Sequence, residues 1–219
     1  MPGGPGGVSV NGGGPQDLAQ ARVLGSVEGP WIRNPVNRER IRFLKHAADT
    51  HGETVQFETR MEPGGVVGAE HIHRIQQSRF EVLGGTPGFC VGGRRFTLKP
   101  GDTLTIPART PHYYWNDGPA EAQMLIEFSP ALKTEEFFRS YFALAQQGKT
   151  SLTGVRNVFQ RAVLQAAYFN ESYPVRPPTL AQLLLMALAP VGRLLGYRAV
   201  VEPAGDPGLP DAAAPPRAA

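Results

Sequence analysis

The chain of 219 residues has little cysteine, little excess charge and no long uninterrupted apolar run. Cys90 is its single cysteine, which excludes an internal disulfide and favours a reducing compartment, so we expect a cytoplasmic protein. The net charge is only +3 and no long basic run is present, so we expect no nucleic-acid partner. The sequence from Met1 has neither the charged nor the apolar region of a secretion signal.

Both ends of the chain have compositions that disfavour a packed core. Residues 1–25 are rich in glycine and residues 202–219 are rich in proline and alanine, so we predict a flexible leader and a disordered tail. The apolar segment from Leu180 to Leu195 is interrupted by Gln182, Pro190 and Arg193. A bilayer span needs about 20 apolar residues, so we predict no membrane span. A helix docked on the barrel or on a dimer partner is the first interpretation, and a helix at a membrane surface is the alternative.

The middle of the chain alternates apolar and polar residues with the period of a β-strand. Val55, Phe57, Thr59 and Met61 share one face, and Gly92-Gly93 separates two short strands as in a hairpin. Residues 40–45 fit either a strand or a helix by pattern alone. About eight strands separated by turns, within fewer than about a hundred residues, predict an all-β barrel or sandwich.

Three histidines carry the chemistry that we expect. His71 and His73 are two residues apart, so on a strand they share one face. His112 follows a Pro-Gly-Asp turn in a later strand that could face the first pair. Tyr114 and Asn116 share the face of His112, which makes Tyr114 a candidate general acid or substrate contact, or an aromatic that fills the barrel.

The spacing of these residues resembles the two paired motifs of the cupin superfamily. The motifs are Gly65, five residues and His71-x-His73, then Gly101, five residues, Pro107, His112, three residues and Asn116. The resemblance covers residues 34–131. It implies a double-stranded β-helix (a jelly-roll barrel), a homodimer, and a divalent metal bound by His71, His73 and His112.

The sequence departs from the motifs at two positions. Ser78 stands where cupins usually place a glutamate ligand, with Gln76 and Gln77 before it. We expect Ser78, Gln77 and Asn116 to be at most auxiliary to the metal. Arg109 replaces the usual glycine after Pro107, so we predict a different turn before His112.

Imidazole ligands accept iron, zinc, manganese, nickel or copper, so the metal stays open. Three neutral histidines would leave a charge of about +2 on the ion, which favours a small anionic or chelating substrate. Because three-histidine cupin dioxygenases also lack the glutamate, the resemblance implies an oxygenase. Two alternatives remain: a metal-free isomerase, epimerase or cyclase that uses a histidine base with Tyr114 as acid, and a binding or sensing module without turnover.

Residues 132–201 change to a helical period. We predict a first helix with Thr134 as N-cap that ends at Gly148, a second from Val155 to Phe169, and a third from Leu180 to Leu195. These helices would either cap the barrel mouth and shape an apolar pocket or build the dimer.

Overall fold

The computed structural model describes residues 8–12 and 29–202 and folds the predicted barrel from antiparallel strands. The strands are β1 (Ser9–Gly12), β2 (Ile32–Asn34), β3 (Glu39–Lys45), β4 (Val55–Met61), β5 (His71–Ile72), β6 (Gln77–Gly84), β7 (Gly88–Val91), β8 (Arg94–Thr97), β9 (Asp102–Ile106), β10 (His112–Trp115), β11 (Ala122–Ser129), β12 (Thr150–Ser151), β13 (Gly154–Val155) and β14 (Tyr173–Pro174). The larger barrel sheet has the order β1-β9-β6-β11-β4-β3-β2 and the smaller barrel sheet the order β14-β5-β10-β7-β8, while β12 and β13 pair as a separate hairpin.

Aromatic and aliphatic side chains from both sheets share one core. Phe80 on β6 meets Phe89 on β7 edge to face, with ring centroids 5.2 Å apart, so the two sheets pack against each other. Phe57 and Ile126, cross-strand partners on β4 and β11, are also buried there. The all-β double-stranded β-helix with appended helices is therefore confirmed.

The N-terminal segment departs from the prediction at one place. Ser9–Gly12 form β1 and pair with β9 at the edge of the larger sheet, so the flexible leader predicted for residues 1–25 is wrong for these four residues. The ladder bonds with β9 provide the ordering that the glycine-rich composition does not. Residues 1–7 and 13–25 of that segment, like 203–219 of the tail, lie outside the described part of the chain.

Four α-helices follow the barrel: α1 (Thr134–Gln146), α2 (Val158–Ala167), α3 (Thr179–Met186) and α4 (Ala189–Leu194). Thr134 is the first helical residue and not the N-cap as predicted, a position that Lys133 takes; the Thr134 hydroxyl accepts a hydrogen bond from Gln76 Nε2 at 2.7 Å. The second helix starts later than predicted, because Asn157 Oδ1 caps it and Val155 pairs in β13.

The single helix predicted over 180–195 is two helices. Pro190 has no N–H to donate, which interrupts the hydrogen-bond ladder between α3 and α4. Both pack on α2. Their outer face stays exposed and apolar through Leu180, Leu183, Leu184, Leu188, Val191, Leu194 and Leu195. Within the described residues, none of the helices has the length and apolarity needed to cross a bilayer.

Candidate metal centre and its cavity

Three histidine rings meet inside the barrel. His71 on β5 is paired directly opposite His112 on β10, and His73 follows one residue after β5. The ring centroids lie 4.6 Å apart for His71 and His112, and 5.1 Å from each of these to His73. One nitrogen from each ring lies within 4.8 Å of the other two. The convergence predicted from the sequence is observed.

Each of the three rings turns its Nδ1 atom to a backbone carbonyl. The contacts are His71 Nδ1 to Ala69 O at 3.0 Å, His112 Nδ1 to Thr110 O at 2.9 Å, and His73 Nδ1 to Glu171 O. A carbonyl oxygen only accepts hydrogen bonds, so Nδ1 carries the proton in a neutral ring. The Nε2 lone pair of each ring is then left for a ligand, which is the arrangement that a histidine metal site requires.

The C-terminal extension helps to position these rings. β14 pairs with β5, so that Pro174 lies opposite His71. The carbonyl that fixes His73 belongs to Glu171, 98 residues further along the chain. The helical segment therefore builds part of the site and is not a separate appendage.

Burial keeps the three imidazoles neutral. It lowers the pKa of His71, and it lowers the pKa of His73 well below the ordinary value with help from the neighbouring rings. Burial, and secondarily His71, lowers the pKa of His112 to about 3. Neutral imidazole is the form that binds metals, so the site is ready to accept an ion at neutral pH.

A carboxylate that the sequence analysis did not single out faces the same cavity. Glu39 on β3 is buried and accepts hydrogen bonds from Tyr114 Oη at 2.6 Å, Thr59 Oγ1 at 2.8 Å and Asn37 Nδ2 at 2.9 Å. Burial raises the pKa of Glu39, although these bonds act in the other direction. Burial and the nearby Glu39 raise the pKa of Tyr114 well above its ordinary value, so the Tyr114 phenol keeps its proton.

The cavity that joins these groups has a volume of about 180 Å³ and mostly apolar walls. The barrel contributes Phe57, Phe80 and Phe128, and α1 and α2 close it with Phe137, Phe138, Tyr141, Phe142, Arg161, Leu164 and Tyr168. The β12–β13 hairpin adds Leu152, whose carbonyl oxygen would lie 2.0 Å from a Cβ at Gly68. The helical extension therefore caps the barrel and shapes the pocket, one of the two roles expected for it.

Two of the predicted auxiliary residues are corrected by the structure. Gln77 points to solvent. Asn116 is occupied structurally, because its Nδ2 donates to Met61 O and Ala120 O at 2.9 Å each. Ser78 faces inward as expected and is fully buried with no hydrogen-bond partner for its hydroxyl among the described residues, but it does not line the cavity.

The turn before His112 retains a left-handed residue. Arg109 has a φ of 64°, in the region that favours glycine, so replacing the usual glycine does not abolish a left-handed turn here. Its N–H donates to His73 O at 2.7 Å. The backbone at Arg109 thereby ties the segment before His112 to the first histidine pair.

Glu39 had a usable signal in the sequence, because it has the same parity as Ile41 and Phe43, the inward residues of β3. Arg161 and the carbonyl of Glu171 had none, since nothing local in the sequence shows which helix residue will reach a distant barrel.

Comparison with known proteins finds a family match and distant structural similarities. Residues 57–127 match the family described as the Cupin domain, whereas no curated protein matches the chain. Among solved structures, KdgF from Halomonas sp. is 20% identical, with 48% of this chain and 92% of that chain covered and a TM-score of 0.42. The polyketide cyclase RemF from Streptomyces resistomycificus is 22% identical, with 48% and 74% covered and a TM-score of 0.41. A predicted oxalate decarboxylase from Thermotoga maritima is 18% identical, with 48% and 94% covered and a TM-score of 0.43.

The family match spans β4 through most of β11 and contains all three converging histidines. Over this barrel, and not over the whole chain, the protein matches the family described as the Cupin domain.

Proposed function

We propose that the protein is a metal-dependent cupin enzyme, with His71, His73 and His112 as the metal ligands. Two observations carry the proposal: each Nδ1 is directed at a carbonyl, which leaves the Nε2 lone pair of each ring for a ligand, and one nitrogen of each ring lies within 4.8 Å of the other two. Three imidazoles leave coordination positions for water or substrate, as in catalytic rather than structural sites. The donor set therefore fits a divalent ion.

The donor set does not choose among iron, zinc, manganese, nickel and copper. Among the described residues, no acidic or cysteine side chain joins the three-histidine group, so a bound divalent ion would keep a charge of about +2. Such a centre favours a small oxygenated substrate that is anionic or chelating. We propose oxygenase chemistry on a substrate of this class.

The chain's own residues supply the environment for the reaction. A bound metal would act as a Lewis acid or, if it is iron, activate O₂. The phenylalanine walls exclude water, which strengthens each polar interaction with the substrate. Tyr114 lines the cavity and donates its hydroxyl hydrogen to Glu39 at 2.6 Å, so its oxygen is left to accept a hydrogen bond from a substrate hydroxyl.

Elemental analysis of protein purified without chelators tests the metal. We expect about one divalent ion per chain in the wild type, little in His73→Ala, and no change in His51→Ala, which removes an exposed histidine outside the site. Absence of metal from the wild type, with stability unchanged by chelator, would contradict the proposal. For the reaction, O₂ uptake by iron-reconstituted protein is measured with diketones and hydroxy-aryl acids.

The Tyr114–Glu39 contact supports a second candidate, a metal-free isomerase, epimerase or cyclase. In such an enzyme, one histidine would take a proton from the substrate as base and Tyr114 would return one as acid. Turnover that survives chelation and depends on Tyr114 and on only one histidine would favour it over the oxygenase. Thermal stabilisation by a ligand without any turnover would indicate a binding module instead.

We also propose a cytoplasmic location, which the single, buried and unpaired Cys90 supports. A homodimer is a further part of the proposal. The exposed apolar face of α3 and α4 supports a second copy as the occupant of this surface. The segment that forms this surface has no acidic residue between Glu171 and Glu202, but it has arginines close to the exposed leucines. Arginine is common at protein interfaces, so this composition suits a contact surface. Sizing of wild type against Leu184→Glu is the test: a dimer that becomes a monomer is expected, and a monomeric wild type contradicts it.

A further inference from the structure

Arg161 stands out among the residues that line the cavity. It is half-buried on α2, and among the described lining residues it is the only lysine or arginine. The rest of the wall is mainly aromatic and aliphatic, with neutral histidines and Glu39 at the barrel side and Glu171 beside them, and neither carboxylate forms an ion pair with Arg161 among the described residues. A positive charge has thus been placed in an apolar pocket by the helical extension.

The guanidinium of Arg161 has no partner within the described residues. No carboxylate lies within 4.0 Å of it and it donates no hydrogen bond there, unlike Arg139, which is 2.8 Å from Glu135. A half-buried cation without a counterion loses hydration that nothing in the protein replaces. An anion that enters the cavity would supply the missing partner.

A second unused donor lies close by. Tyr141 on α1 lines the same cavity, its ring stacks on Phe137, and its hydroxyl has no hydrogen-bond partner among the described residues. Burial raises the pKa of Tyr141; the positive charge of Arg161 acts against that rise and the carboxylate of Glu39 adds to it, so Tyr141 lies within electrostatic reach of both groups. Two helices therefore direct one cationic and one neutral donor into one pocket.

We propose that Arg161 and Tyr141 form a carboxylate-binding subsite for the substrate. The planar fork of an arginine matches a carboxylate in a two-bond contact, and a phenol hydroxyl adds a third donor. The phenylalanine walls fit an aromatic or flat apolar body between this subsite and the three histidines. The inference rests on the proposed function for the end of the substrate that reacts at the histidines. It adds the substrate class, an aromatic carboxylate.

Binding to metal-free protein isolates this subsite from the metal. Titration calorimetry in chelator compares benzoate, phenylacetate and 3-phenylpropionate with their neutral amides. We expect the wild type to prefer acids to amides, and Arg161→Gln to weaken acid binding by about tenfold or more while leaving amide binding unchanged. Arg193→Gln, an exposed arginine on α4 outside the cavity, is the matched control and should bind like the wild type.

Equal acid affinity in wild type and Arg161→Gln, or no preference for acids over amides in the wild type, overturns the subsite. If Arg161→Gln does not fold, Tyr141→Phe is the deciding variant. We expect its affinity for the acids to fall about fivefold, and an unchanged affinity contradicts the proposal. Metal content is measured on untreated samples of the same variants. If the protein contains metal but acid binding does not depend on Arg161, only the subsite is refuted. If acid binding depends on Arg161 but the protein contains no metal, only the metal-dependent enzyme is refuted.

Discussion

Acidification of the metal-free protein should reduce its stability through the buried histidines. His112 titrates near its ordinary value of 6.5 when unfolded, but burial lowers its pKa to about 3 in the folded protein. Between these two values the unfolded chain binds the proton and the folded chain does not. The contribution of His112 is therefore fully present above pH 6.5 and is lost progressively as the pH falls towards 3.

The size of the effect follows from the displaced pKa. Each pH unit in this window is worth about 1.4 kcal/mol for one group. At pH 5, which is about 1.5 units below the unfolded value, His112 alone should cost about 2 kcal/mol of unfolding free energy. His71 and His73 have pKa values lowered in the same direction, so the loss for the whole cluster should be at least that of His112.

Urea unfolding in chelator at about pH 7 and about pH 5 measures this difference. His112→Gln cannot take up the proton, so its stability should fall by about 2 kcal/mol less than that of the wild type over the same interval. His51→Gln, which removes an exposed histidine, should behave like the wild type. If His112→Gln and the wild type lose stability equally on acidification, the reasoning from burial is refuted.

Three further changes test the cavity walls and the buried carboxylate. Gly68→Ala should lower the free energy of unfolding by about 1–3 kcal/mol, because its Cβ would lie 2.0 Å from Leu152 O. Gly84→Ala is the control: its Cβ would lie 3.6 Å or more from its neighbours, so thermal unfolding should show a smaller loss of stability. Tyr114→Phe should cost about 1–2 kcal/mol, since Glu39 loses a buried donor at 2.6 Å. Glu39→Gln should cost about 1–3 kcal/mol in urea unfolding, since the glutamine oxygen can still accept from Tyr114 and Thr59 but its N–H₂ then faces the donor Nδ2 of Asn37. In a double-mutant cycle with Tyr114→Phe, strictly additive losses would contradict the direct contact between Tyr114 and Glu39.

The barrel and its histidines could be predicted because they depend on periodicity. The two-residue period places alternate side chains on one face, so β4 buries Phe57 and Met61 as predicted, and β10 buries His112 and Tyr114. The ambiguous segment at residues 40–45 became a strand because β4 and β2 pair with it on both sides. Pairing of this kind is a long-range condition that a local pattern cannot express.

The amino-acid sequence by itself determined that His71 and His73 share one face of the chain and that Tyr114 shares the face of His112, because strand parity acts locally, whereas the meeting of all three histidines was an expectation from their motif spacing. Only the tertiary structure decided which groups surround them. Glu171 O fixes the His73 tautomer from 98 residues away, and Arg161 reaches the cavity from a helix. These contacts depend on how the C-terminal helices dock on the barrel, and docking is set by the packing of whole surfaces rather than by any local spacing.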